Sequence, residues 1–249
     1  MELGNIDCIK QGDVFEVNGG TITVIYYEST DKIYVKHNDE HSHCMWTRKT
    51  AIKKGMVKNP YFRSVEGVGY FGVGKFKGYL NGKQTEEYVA WSGMLLRCYN
   101  VKFKNKHPTY EGVTVCEDWH NFQNFAYWYT REDEYGRGYH LDKDILMKGN
   151  KQYSPDTCCL VPQEINKFFT STGEKKNGLP TGVTMTKNKS FKVKASLLGV
   201  NKYIGTFKTL EEAVHAYSHA KGVDAKELAL SNLGNVRYKV FLAIMNWEF

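Results

Sequence analysis

The chain is 249 residues long, 41% hydrophobic and 24% charged. This is the make-up of a globular protein of one large domain or a few small ones, and it excludes a disordered or fibrous chain. The net charge of +7 sits in one place: residues 173–208 hold eight lysines and a single acid, Glu174, which equals the whole excess and reads as the electrostatic footprint of one module.

The longest clean apolar run, residues 240–245, is far too short to cross a bilayer. Met1-Glu2-Leu3-Gly4-Asn5 lacks the basic-then-apolar layout of a secretory leader, so a cytoplasmic location without membrane contact is expected. Six cysteines without a C-x-x-C pair suit reduced, packed thiols better than a zinc knuckle.

In chain order, residues 14–17, 21–27 and 32–36 read as short strands separated by turns, a small β-barrel-like domain over 1–64. His37, His41, His43 and Cys44 fall there, with a spacing that fits no standard zinc site and beside a solvated Asp39-Glu40 loop. Glycines 67, 69, 72, 74 and 78 mark residues 65–87 as a linker. The Gly67-x-Gly69-x-x-Gly72 run follows no convincing strand and opens no helix, so it carries no weight as a dinucleotide fingerprint. Trp91, Met94, Leu95 and Cys98 repeat at i, i+3, i+4, i+7 and predict an amphipathic helix. A strand at 113–116 follows, then a helix capped by Asp118 and carrying Trp119, Phe122, Phe125, Ala126 and Tyr129, whose spacing suits a buried face rather than a base-stacking one. Residues 139–146, a Gly149-Asn150 turn, residues 157–161 and a helix with Pro162 at its first position form a hairpin followed by a helix.

The last module, 172–249, reads as strands 181–187, 190–197 and 202–207, then a helix opened by a Thr209/Glu212 capping box. A further helix is expected at 238–247. Alternation puts Phe191, Val193, Ala195 and Leu197 on one face and Lys192, Lys194 and Ser196 on the other. The helix takes the apolar face, which leaves a cationic sheet of a size that fits the major groove of DNA. Candidate DNA-binding residues are Lys187, Lys189, Lys192, Lys194, Ser196, Lys202 and Tyr203.

Leu179-Pro180-Thr181-Gly182-Val183, Lys202-Tyr203-Ile204-Gly205-Thr206-Phe207 and Thr209-Leu210-Glu211-Glu212-Ala213 with Ala216-Tyr217 resemble the AP2 DNA-binding domain. The resemblance covers about fifty residues and implies a three-stranded sheet on one helix, with the exposed sheet face against double-stranded DNA. Plant members carry arginines just after the Gly-Val; here Thr184 and Thr186 stand there. Threonine cannot make the bidentate contact to guanine, so affinity is implied but not the family's base preference.

Leu141-Asp142-Lys143-Asp144-Ile145, Gly149-Asn150, Tyr153-Ser154-Pro155-Asp156-Thr157-Cys158 and Asn166 are similar to the HNH (ββα-metal) nucleases, and more closely to a phage and prophage group of homing-endonuclease type. The similarity spans roughly Tyr88 to Phe169, within a domain read as residues 88–171. By position Asp142 and Asn166 would be the metal ligands, for Mg²⁺ or Mn²⁺, with Asn150 holding the hairpin. The family's catalytic histidine corresponds to Lys143. Acting as a base near neutral pH would require lysine to lose about 3 pH units of basicity. His140, two residues before Asp142 on the same strand face, is the substitute.

The expectation is therefore a multidomain α+β protein that binds duplex DNA in a bacterial host's cytoplasm and cleaves or nicks it. The alternative is a degenerate, non-catalytic DNA-binding protein, a phage regulator or anti-defence factor. A third class, a protein-interaction module, would need an acidic partner for the lysine face. No small-molecule cofactor is expected.

Overall fold

The computed structural model describes residues 3–132, 135–170, 178–197 and 200–249, without the side chains of Ser196 and Leu197. The architecture is mixed α and β with several small sheets. Among the described residues no helix is long and apolar enough to cross a membrane.

Strands β1 (Val14–Val17), β2 (Gly20–Ser29), β3 (Lys32–His37) and β4 (Cys44–Thr47) form an antiparallel meander in sequence order. Its inner residues Phe15, Val17, Ile22, Val24, Ile33 and Val35 pack with Ile52 of the short helix α1 (Lys49–Lys53). The expected barrel is thus an open sheet of four strands: β1 and β4 are its edges and do not pair. On the outer face Tyr26 stands opposite Tyr34, and Tyr34 opposite Trp46.

The stretch read as a linker is packed instead. The Tyr70 N–H donates to the His120 carbonyl and the Phe122 N–H to the Tyr70 carbonyl, both at 2.9 Å. The buried Gln123 amide binds the Phe76 N–H and carbonyl at 3.0 Å. A Cβ on Gly69 would lie 2.3 Å from Leu95 Cδ1 and 2.9 Å from Trp91 Cζ2. The glycines permit close approach to the body behind them and are not there for flexibility. Within this stretch lies the small hairpin β5 (Tyr79–Leu80) and β6 (Lys83–Gln84).

The central body is built on α2 (Glu86–Tyr99) and α4 (Phe122–Tyr129), joined through α3 (Val101–Lys106), a 3₁₀ turn, β7 (Thr114–Val115) and a second 3₁₀ turn, Glu117–His120. Trp91, Met94, Leu95 and Cys98 are all buried, with Trp119, Phe122, Phe125 and Tyr129 against them. The helix expected to start at Asp118 starts later, because Glu117–His120 is the 3₁₀ turn and Asn121 is the cap, its side chain accepting from the Gln123 N–H at 3.0 Å.

Next come β8 (His140–Asp142), β9 (Gln152–Tyr153), β10 (Cys159–Val161) and α5 (Gln163–Thr170). β8 and β10 pair antiparallel, while β9 pairs in parallel with β7. Both strands of the hairpin are shorter than the 139–146 and 157–161 read from sequence, because Asp142 turns the chain at its own position. β11 (Val183–Met185), β12 (Phe191–Leu197) and β13 (Val200–Phe207) form an antiparallel sheet in that order, packed on α6 (Leu210–Ser231). The capping box opens α6: the Thr209 hydroxyl accepts from the Glu212 N–H, and the Glu212 carboxylate accepts from the Thr209 N–H.

α6 serves two cores. Its first half covers Val183 and Val193 through Ala213 and Tyr217. Its second half, Ala225, Leu228 and Ala229, packs with α7 (Tyr238–Met245) against Val161, Ile165, Phe168 and Phe169. Apolar packing is therefore continuous across residue 171, where the sequence suggested a domain boundary.

Candidate nucleic-acid interface and hairpin-helix site

The exposed sheet face follows from strand alternation corrected by one bulge. Val193 and Ala195 are buried toward α6, so Lys192 and Lys194 project to solvent. The register shifts between them: Val193 faces Gly205, but Lys194 faces Tyr203. The bulge gives β13 one extra residue, Ile204, which stays with the core. Tyr203 is thereby returned to the lysine face, 60% exposed, and the Lys192 ammonium lies 5.7 Å from its ring centroid. Thr184 and Thr206 flank Lys192 on either side, and the Tyr203 and Thr206 hydroxyls are 2.9 Å apart. These residues bring donors and two ammonium groups together with no carboxylate among them. Thr206 was not singled out from the sequence; only the cross-strand register shows it.

Lys187 and Lys189 are exposed at the tip of the β11–β12 turn, where Lys189 takes a left-handed φ of 60°. Lys202 departs from the expected set. It faces buried Ala195, on the helix side of the sheet, and its ammonium lies 4.0 Å from the buried Asp224 carboxylate of α6. The Ser196 backbone lies in β12, but its side chain is outside the described residues, as are Lys175 and Lys176. The module is held shut at Gly182. Its φ is +84°, and a Cβ there would lie 2.3 Å from the Tyr217 ring and 2.6 Å from the Lys194 carbonyl oxygen.

The hairpin and α5 bring two of the expected chemical residues together. Val161 pairs with His140 and Cys159 with Asp142, so His140 and Asp142 share the face that looks toward α5. Asn166 Nδ2 lies 3.2 Å from His140 Nδ1. With the amide nitrogen donating, Nδ1 accepts, and the neutral ring carries its proton on Nε2. A base acting through Nε2 would need the opposite tautomer, with the amide turned to present its oxygen.

Asp142 is buried, and burial pushes its carboxyl above the usual range. Its Oδ1 accepts from the Asp144 and Ile145 N–H groups, both at 2.8 Å, so the carboxylate caps the turn out of β8. Lys143 closes a second ring. Its ammonium donates to Asp144 at 2.6 Å and to the Asn150 carbonyl at 2.7 Å. The Asn150 amide donates to the Lys143 and Gln152 carbonyls at 3.0 and 2.6 Å and accepts from the Gln152 N–H at 3.1 Å. Asn150 thus ties the two ends of the loop.

Compared with protein-family models, with curated proteins and with solved structures, the chain matches none of them. The geometry alone therefore carries the functional argument. Among the described residues no group of three His, Cys, Asp or Glu side chains is placed to hold a metal ion, the His37, His41, His43 and Cys44 group included. Asp142 uses one oxygen for two backbone donors, and the Asn166 nitrogen is turned to His140.

Proposed function

We propose that the chain binds double-stranded DNA through the face of the β11–β12–β13 sheet opposite α6, without cleaving it. The observation that carries this reading is the Thr184–Lys192–Thr206 row beside the Lys194–Tyr203 pair. It is an acid-free cationic face on a rigid sheet whose other side is closed by α6. A three-stranded sheet on one helix is also the layout that the AP2-like motifs imply. Two phosphate-facing ammonium groups supply affinity and register, whereas the threonines offer no bidentate reading of guanine, so modest sequence preference is expected.

The test is the salt dependence of binding to a duplex. Replacing Lys192 and Lys194 together by alanine is expected to lower the slope of log affinity against log salt by about 1.8, at roughly 0.9 for each lost phosphate contact. Replacing Lys202, which points to Asp224, leaves the slope nearly unchanged. An unaltered slope in the Lys192/Lys194 double variant would move the site elsewhere.

One observation favours a second reading, a metal-dependent nuclease of the HNH type using Mg²⁺ or Mn²⁺. The β8–β10 hairpin followed by α5 sets His140 against Asn166, with Asn150 tying the loop as that family's layout implies. The capping role of Asp142 and the enclosure of the Lys143 ammonium by two acceptors both weigh against it.

A further inference from the structure

We propose that the outer face of β2, β3 and β4 is a second nucleic-acid surface, which takes the bases of an unpaired strand. This site lies in the N-terminal meander and goes beyond the duplex reading, which rests on the C-terminal sheet.

Three aromatic side chains occupy one register row across three adjacent strands: Tyr26 faces Tyr34, and Tyr34 faces Trp46. Ring centroids are 5.0 Å apart for Tyr34 and Trp46 and 6.2 Å apart for Tyr26 and Trp46. Tyr26 is 52% and Trp46 47% exposed. The inner residues of the same strands, Ile22, Val24, Ile33 and Val35, are fully buried. The core is therefore complete without these rings, and cross-strand pairing of aromatics stabilises a sheet by only about 0.2–1 kcal/mol per pair.

Alternation along β3 places Lys32 and Lys36 on the same outer face, one on each side of Tyr34. The Lys32 ammonium lies 5.2 Å from the Trp46 ring centroid and 2.8 Å from the Glu28 carboxylate. Thr23 faces Lys36 across the β2–β3 ladder. A row of rings flanked by ammonium groups is what a single strand requires. The rings give sequence-tolerant stacking to bases, and the cations sit beside the phosphates. A cationic guest, such as a methylated ammonium, would meet two lysines, and the Glu28 carboxylate is already paired. A second copy laid face to face would set lysines against lysines. The outer face of this sheet cannot take an intact duplex in the same way, because paired bases bury their faces in the stack.

The experiment uses the full chain and a fluorescein-labelled oligothymidine of about 15 nucleotides, near the upper site size of a single binding module. Anisotropy reports affinity, and tryptophan emission reports contact. Trp46→Ala is expected to weaken oligothymidine binding about tenfold, the effect of one lost stacked base. Trp46→Phe, which keeps a ring face and serves as the folding control, is expected to stay within about threefold of the wild type. Both should leave duplex affinity and its salt slope unaltered. The proposal is overturned if the wild type fails to bind oligothymidine, or if Trp46→Ala binds it as well as the wild type. It is also overturned if Trp46→Phe loses as much as Trp46→Ala, because the ring face would not then be what is read. The Lys192/Lys194 alanine variant separates the two sites. If it loses duplex binding and keeps oligothymidine binding, both readings stand. If Trp46→Ala alone abolishes binding to both ligands, the duplex reading falls and the platform remains.

Discussion

At the scale of single residues, hydrogen bonds decide what each candidate can do. Lys143 stands where a catalytic histidine is implied by resemblance, but its ammonium is fixed by Asp144 and the Asn150 carbonyl as a donor. His140, in β8, faces α5 but holds its Nδ1 toward the amide of Asn166. The expected outcome is that the purified protein leaves supercoiled plasmid intact with Mg²⁺ and with Mn²⁺. Nicking that is lost in His140→Ala would establish the cleaving reading in its place. Asn150 as the residue that holds the hairpin was implied by the HNH resemblance alone, and its amide binds the Lys143 and Gln152 carbonyls. The side taken by Lys202 was not legible. A bulge inserts one residue and reverses alternation beyond it, and no local pattern in Val200–Phe207 announces where the bulge will fall.

At the scale of elements, helices and strands with a clear apolar period could be read, and pieces without one could not. The four-residue repeat of Trp91, Met94, Leu95 and Cys98 gave α2 its buried face, and Thr209 with Glu212 marked the start of α6. β4 and α3 were missed: Cys44-Met45-Trp46-Thr47 carries no clean apolar–polar alternation, and the six residues of α3 are too few for a helical period to show. The glycine-spaced stretch misled in the opposite direction, because glycine signals a loose chain and a close approach with the same letter. Gly69 is the position that separates the two meanings. Gly69→Ala would force Leu95 and Trp91 to give way, an overpacking cost of about 1–3 kcal/mol. The melting temperature is expected to fall by about 2–4 °C per kcal/mol for a chain of this length. Limited proteolysis of the wild type should spare residues 65–82. A neutral Gly69→Ala together with early cleavage there would restore the linker reading.

At the scale of the whole molecule, the division into successive modules is only partly what the chain builds. The second half of α6 and α7 cover Val161, Ile165, Phe168 and Phe169, so the hairpin-helix region does not close its own core. A chain ended at residue 171 would uncover these four side chains, each worth about 1.5–3 kcal/mol of burial. Together they exceed the lower end of the stability of an ordinary domain, about 5 kcal/mol. The expected result is a truncated protein that lacks a cooperative thermal transition and associates in size-exclusion chromatography. A sharp melt of the truncated chain would show that the region folds alone. Sequence could not reveal this sharing, because Ala225, Leu228 and Ala229 continue the same periodic stripe that Ala213 and Tyr217 begin, and periodicity does not say that the partner changes halfway along.

A helix common to two cores also acts as a ruler. The 22 residues of α6 span about 33 Å, close to one turn of B-form duplex, roughly 34–36 Å. The sheet follows α6 from Ala213 as far as Asp224, and the hairpin-helix packs on the adjoining Ala225, Leu228 and Ala229, so the two cannot swing independently as beads on a tether would. If the proposed duplex touched both, its second contact would have to fall at a fixed helical phase from the first.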